Sequence, residues 1–158
     1  MAASVLLIIG SQPELLERII AKATALQPGS EAGEVGPVID RASLDKIISY
    51  IKASEQAGAK ILVDGRSWTE SRTEGFWVGP TVILHSNKED KALHDEIFGP
   101  ILSIYQCSNK EEAINIENGN PYGNAACIYT TTGATAEWFI ARFGAAMCGI
   151  NIGVPVPR

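Results

Sequence analysis

Short apolar runs alternate with stretches of helical periodicity, beginning at the N-terminal end of the chain. Residues 4–9 are apolar with a β-branched bias and stop at Gly10, which predicts a strand covered on both faces. A capping-box pattern follows, in which Ser11 caps a helix, Pro13 lies in its first turn and Glu14 reciprocates. Apolar residues at helical spacing then predict a helix of about four turns: Leu15, Leu16, Ile19, Ile20, Ala23 and Leu26.

A second helix is predicted after the loop that carries Pro37. Asp40 can cap this helix, because its carboxylate can accept a backbone N–H of the first turn. Gly58 ends the helix, and the run from Lys60 to Val63 predicts the next strand. The apolar stripe of the helix consists of Leu44, Ile47, Ile48 and Ile51.

Residues 64–74 are polar and show no periodicity, so they are expected to form an exposed loop or hairpin. Within them, Trp68 is interpreted as a partly buried anchor of the loop rather than a residue that stacks on a ligand. Two short strands are predicted next, at residues 76–78 and 81–84, separated by Gly79-Pro80.

The second half of the chain repeats this alternation. Asn109 and Glu112 have the spacing of a helix start, and Thr132 can cap a further helix. Pro155 and Pro157 forbid a regular continuation of the last strand. Three strands are predicted in this half, at residues 101–105, 125–130 and 147–152.

Alternating strands and helices predict an α/β fold, a single three-layer domain with a mostly parallel sheet flanked by helices. The 158 residues and the 46% hydrophobic content are sufficient for one domain with its own core. A net charge of −5 gives no electrostatic reason to expect nucleic acid or an anionic membrane as a partner. The apolar start is too short to span a bilayer and lacks the positive flank of a signal peptide.

The three cysteines, Cys107, Cys127 and Cys148, are expected to be reduced core residues. Their wide spacing does not match a zinc site, and their odd number cannot complete a set of disulfides. This pattern favours a cytoplasmic location, or an organellar matrix. The sequence also contains no dinucleotide-binding glycine fingerprint and no phosphate-binding loop. No catalytic residue and no metal ligand is therefore predicted within this chain.

The stretch from His94 to Pro100 precedes the strand at residues 101–105 and allows two interpretations. Glu96 and Phe98 could present a carboxylate and an aromatic ring at the mouth of the sheet, where open α/β folds bind ligands. Alternatively, Ile97 and Phe98 could simply fill the core at a strand edge. His94 is expected to be a solvated surface residue.

Five short motifs occur in sequence order. They are Gly36-Pro37-Val38-Ile39, Glu55-x-x-Gly58-Ala59-Lys60-Ile61-Leu62, Gly75-Phe76-Trp77-Val78-Gly79-Pro80-Thr81-Val82, Glu96-Ile97-Phe98-Gly99-Pro100 and Asn120-Pro121-Tyr122-Gly123-Asn124. Together they resemble the catalytic domain of the aldehyde dehydrogenase superfamily. The end of the chain, from Gly149 to Pro157, is most similar to the methylmalonate-semialdehyde dehydrogenase branch. The resemblance implies that residues 1–158 are part of a catalytic domain and that the cofactor-binding domain is absent.

Several functional positions carry over from this resemblance. Glu96 matches the glutamate that accepts hydrogen bonds from the nicotinamide ribose hydroxyls, and Phe98 matches the aromatic residue beside the nicotinamide ring. Asn151, Ile152 and Gly153 match the end of the strand that opens towards the substrate pocket. The implied cofactor is NAD or NADP, and in the resembling branch coenzyme A is a co-substrate.

The resemblance also implies that the catalytic machinery is incomplete. The nucleophilic cysteine of the family would lie just upstream of Met1, and the general-base glutamate would lie further upstream. We therefore expect the parent protein to oxidise a small-molecule aldehyde or semialdehyde as a homo-oligomer, and this fragment alone to be inactive. The alternatives are a truncated, non-catalytic domain that only folds and self-associates, and a small-ligand-binding domain at Glu96.

Overall fold

The computed structural model describes residues 3–72 and 74–154, so the expected effect of Pro155 and Pro157 lies outside the described residues. The chain divides into two compact units. The N-terminal unit comprises residues 4–106, and the C-terminal unit comprises residues 107–158 together with the first three residues.

Four strands form the sheet of the N-terminal unit: β1 (Val5–Ile9), β2 (Lys60–Val63), β3 (Thr81–His85) and β4 (Ile101–Cys107). Their order in the sheet is β1-β4-β3-β2. Strands β3 and β4 pair in parallel, whereas β2 and β3 pair antiparallel with an irregularity in β2. The helices are α1 (Pro13–Ala25), α2 (Arg41–Gln56) and α3 (Ser67–Ser71), with a short 3-10 turn at Lys91–Leu93.

Two apolar clusters cover the two faces of this sheet. Successive residues of a strand point to opposite faces, and accordingly Val82 and Ile83 of β3 belong to different clusters. Ile83 packs with Ile47 and Ile51 of α2, and all three side chains are fully buried. Val82 packs in the second cluster, which includes Leu16 of α1. The sheet therefore lies between α1 and α2, as the alternating pattern predicts.

Two parallel strands and two helices make up the C-terminal unit. The elements are α4 (Lys110–Asn118), β5 (Ala125–Ile128), α5 (Gly133–Ile140) and β6 (Met147–Ile150). The predicted caps are confirmed: the Asn109 side chain accepts the Glu112 N–H at 2.8 Å, and the Thr132 side chain accepts the Thr135 N–H. The Glu112 carboxylate also accepts the Ser108 N–H at 2.7 Å, so the start of α4 is capped from both sides.

The predicted fold class is confirmed, because helices flank strands that pair mostly in parallel. The strands fall into two separate sheets, however, whereas the sequence predicted one. No helix in the described part of the chain is long and apolar enough to cross a membrane.

Three local predictions were wrong. Residues 76–78 form no strand, because the Phe76 carbonyl bonds the Val38 N–H of a loop instead of a strand ladder. The polar stretch was expected to be a loop or hairpin but contains the short helix α3. Its Trp68 is half-buried, as expected, and covers Gly79 so closely that a Cβ there would lie 2.8 Å from the ring. At α1 the N-cap is Gln12, without a side-chain cap, so the capping box predicted from Ser11 does not form.

Candidate functional site

The segment from Asp95 to Gly99 connects the 3-10 turn to β4 and carries the candidate cofactor residues. Its two large apolar side chains behave differently: Ile97 is 6% exposed and joins the core cluster against α2, whereas Phe98 is 77% exposed. The expectation that both residues could fill the core therefore holds for Ile97 alone. Phe98 presents a large aromatic surface outside the core.

Phe98 has a left-handed backbone with φ of 58°, which is rare for an aromatic residue. Such a conformation costs about 1–3 kcal/mol and persists only where the surrounding structure enforces it. The buried Ile97 precedes it, and Gly99 follows it in close contact with Ile47 of α2. A Cβ at Gly99 would lie 2.5 Å from Ile47 Cδ1, so this backbone approach depends on glycine.

Glu96 is exposed, and its backbone and side chain have separate roles. The backbone carbonyl accepts a hydrogen bond from Lys46 Nζ of α2 at 2.8 Å. Its carboxylate makes no hydrogen bond or ion pair with any residue that the structure describes. The neighbouring Asp95 accepts a 2.6 Å hydrogen bond from the Tyr50 hydroxyl. An exposed carboxylate on a fixed backbone can accept two hydroxyl groups, which is the geometry that a ribose diol requires.

Asn151, Ile152 and Gly153 belong to the C-terminal unit and follow β6. All three residues are exposed, and Asn151 has a left-handed φ of 55° that ends the strand. The Asn151 side chain accepts the Thr130 N–H and donates to the Thr130 carbonyl, each at 2.9 Å. This amide therefore fastens the segment after β6 to the residues after β5, a structural role that sequence reasoning missed.

His94 differs from its expectation as a solvated residue. Its ring is half-buried, and Nε2 donates to the Lys88 carbonyl at 2.7 Å. This hydrogen bond links the two ends of the loop that precedes the candidate segment.

A buried polar cluster forms around Asp90, directly before the 3-10 turn, and was not predicted from the sequence. Asp90 Oδ1 accepts hydrogen bonds from Ser54 Oγ and the Ala92 N–H, both at 3.0 Å. Asp90 Oδ2 lies 3.1 Å from His85 Nδ1, although the ring nitrogens lack well-aligned hydrogen bonds in the described structure. Burial lowers the pKa of His85, and the nearby Asp90 charge opposes this effect only in part. The lowered pKa favours the neutral form of this buried imidazole.

Cys107 and Cys148 do not lie in settings that activate a thiol. Cys107 is 1% exposed, and burial followed by the Glu112 charge raises its pKa to about 11. Burial also raises the pKa of Cys148, with smaller effects from Cys127 and Glu117. In residues 3–72 and 74–154 no three His, Cys, Asp or Glu side chains are grouped to hold a metal ion.

Comparison with known proteins gives the family. Residues 1–157 match the aldehyde dehydrogenase family. Malonate-semialdehyde dehydrogenase 1 of Geobacillus thermodenitrificans strain NG80-2 is 38% identical over 161 aligned positions, which cover 99% of this chain and 33% of that protein. The chain belongs to the aldehyde dehydrogenase family, as its motifs predict.

Solved structures agree with this assignment. A methylmalonate-semialdehyde dehydrogenase from Oceanimonas doudoroffii matches with a TM-score of 0.90 at 35% identity, covering 98% of this chain and 33% of that one. A 1-pyrroline-5-carboxylate dehydrogenase from Thermus with bound NAD matches with a TM-score of 0.87 at 27% identity, covering 97% and 30%. The chain thus spans about a third of the length of these relatives.

Proposed function

We propose that this chain is the C-terminal part of the catalytic domain of an NAD- or NADP-dependent aldehyde dehydrogenase. The complete enzyme oxidises an aldehyde or semialdehyde, with coenzyme A as a co-substrate, and works as a homo-oligomer in the cytoplasm or an organellar matrix. Its cysteine nucleophile and its cofactor-binding domain precede residue 1 of this chain. Family membership, the semialdehyde dehydrogenases among its relatives and the high pKa of Cys107 support this proposal.

The observation that carries the proposal is the pairing of an exposed carboxylate with an exposed aromatic ring on one fixed segment. Glu96 accepts hydrogen bonds from the two ribose hydroxyls next to the nicotinamide, and Phe98 packs against the nicotinamide ring. A nicotinamide held there would supply the hydride acceptor for oxidation of the substrate. The role of Glu96 and Phe98 is to orient that ring and to limit the positions it can adopt.

The substrate pocket of the proposed enzyme includes the residues after β6. Ile152, which is 53% exposed, supplies an apolar wall, and Gly153 leaves room for substrate beside the backbone. Asn151 contributes through its backbone, since its side chain is engaged by Thr130.

Replacing Glu96 with Gln in the complete enzyme tests the cofactor role. The amide keeps the size of the side chain but loses charge-assisted hydrogen bonds, so we expect the dissociation constant for the cofactor to rise about tenfold. The melting temperature should not change, because the carboxylate is exposed and makes no hydrogen bond or ion pair with the described residues. The matched control is Glu89→Gln, which removes the same charge at an exposed residue before the 3-10 turn. Unchanged cofactor binding together with a lower melting temperature would contradict the assignment.

A truncated, non-catalytic domain that self-associates is the second candidate. The exposed apolar side chains favour it, in particular Ile39, which is 88% exposed. The size of the native polypeptide separates the two candidates: an immunoblot band about three times larger than this chain supports the dehydrogenase. A band at the size of this chain, with oligomers in sedimentation, supports the truncated domain.

A further inference from the structure

We infer that Lys46 and Tyr50 of α2 are positioning residues for the cofactor, acting by holding the segment that carries Glu96 and Phe98. This inference rests on the proposed function. It assigns to α2 a role beyond filling the core, because two polar groups of the helix form hydrogen bonds with the candidate segment.

Lys46 holds the backbone at Glu96 itself. Its ammonium group donates to the Glu96 carbonyl at 2.8 Å, across 50 positions of sequence. A charged donor makes a stronger hydrogen bond to a carbonyl than a neutral donor does. Because the bond is made to the backbone, the Glu96 carboxylate remains free to accept a ligand.

Tyr50 holds the adjacent residue. Its hydroxyl donates to Asp95 Oδ2 at 2.6 Å, a short hydrogen bond to a carboxylate. Lys46 and Tyr50 are four residues apart in one helix and therefore lie on the same face. Two successive residues of the segment are thus attached to one rigid element.

Core packing against the same helix also holds the segment. Ile97 is buried against α2, and Gly99 contacts Ile47, which lies between the two polar residues in the helix. Phe98 is held between these contacts in its left-handed conformation. A conformation of this kind relaxes when the groups that enforce it are removed. Loss of the polar contacts should therefore allow Glu96 and Phe98 to sample other orientations.

Hydrogen–deuterium exchange of the complete enzyme without cofactor tests the holding role. We expect the backbone amides of residues 95–98 to exchange about tenfold faster in the double variant Lys46→Met, Tyr50→Phe than in the unaltered enzyme. The matched control is Lys52→Met, which removes the same charge from an exposed position of α2. If residues 95–98 exchange as slowly in the double variant as in the control, the inference is overturned.

Cofactor binding and turnover by the complete enzyme test the functional role. Lys46→Met should raise the KM for the cofactor about three- to tenfold, with kcat changed less than about twofold. Lys46→Arg keeps a charged donor and should restore most of the affinity. A lower melting temperature with an unchanged KM would show a merely structural contact and would overturn the inference.

The Glu96→Gln variant separates the failure of this inference from the failure of the proposed function. If Glu96→Gln raises the KM and Lys46→Met does not, the cofactor role of Glu96 stands and the positioning role of α2 is wrong. If neither variant alters cofactor binding, the proposed role of Glu96 is wrong, and the inference fails with it.

Discussion

Replacement of Asp90 with Ala should destabilise the N-terminal unit more than any surface substitution. The carboxylate makes its contacts inside the protein, with Ser54 Oγ and the Ala92 N–H at 3.0 Å and with His85 at 3.1 Å. Removing it takes the cap from the 3-10 turn, which costs about 1 kcal/mol. It also leaves the hydroxyl of Ser54, a residue 1% exposed, without its acceptor, which costs about 1–3 kcal/mol.

The two effects together predict a loss of about 2–4 kcal/mol in the free energy of unfolding. Urea denaturation of the 158-residue chain, followed by circular dichroism, measures this quantity. The matched control is Asp45→Ala, because the ion pair of Asp45 with Arg41 is exposed and contributes less than about 1 kcal/mol.

A loss for Asp90→Ala no larger than the loss for Asp45→Ala would refute the reasoning. A double-mutant cycle with Ser54→Ala gives a second check. Because the cost at Ser54 arises from a hydroxyl left without a partner, the double variant should lose less stability than the sum of the two single variants. Strict additivity would show that Ser54 and Asp90 do not interact.

Two further predictions follow from the buried titratable groups. Burial depresses the pKa of His85 below its ordinary value of 6.5, so the unfolded chain binds its proton more tightly than the folded chain does. The stability from the neutral imidazole is fully present above about pH 6.5 and is lost as the pH falls below it. The urea midpoint should therefore decrease as the pH is lowered from 7.5 to 5.5. This change of the midpoint with pH should be smaller in the His85→Gln variant. An equal change in both proteins would exclude His85 as the cause of the pH dependence. Cys107, with its pKa of about 11, should be alkylated by iodoacetamide at pH 8 far more slowly than the half-buried Cys127. Peptide mass spectrometry measures both rates, and equal rates would contradict the buried position of Cys107.

Local sequence signals predicted the parts of the fold that depend on neighbouring residues. A cap acts within three or four positions, so Asp40, Asn109 and Thr132 were identified correctly from the sequence. The apolar stripe of α2 was predicted for the same reason, since helical periodicity brings its members to one face. The family motifs identified the family, which the comparisons confirm.

Local sequence patterns did not predict which strands pair. Residues 76–78 have the composition of a strand but lack a neighbouring strand to bond, and a ladder requires both partners. For the same reason, the division of the strands into two sheets could not be read from alternation alone.

The segment from Asp95 to Gly99 likewise has features that the sequence determined and features that depend on tertiary packing. The sequence by itself determined that a carboxylate and an aromatic ring flank a buried isoleucine before a strand. Only the tertiary structure decided that Ile97 points into the core, that Phe98 remains exposed in a left-handed conformation, and that Lys46 reaches Glu96. Contacts between residues 50 positions apart depend on how helix and sheet pack, and no local pattern encodes that distance.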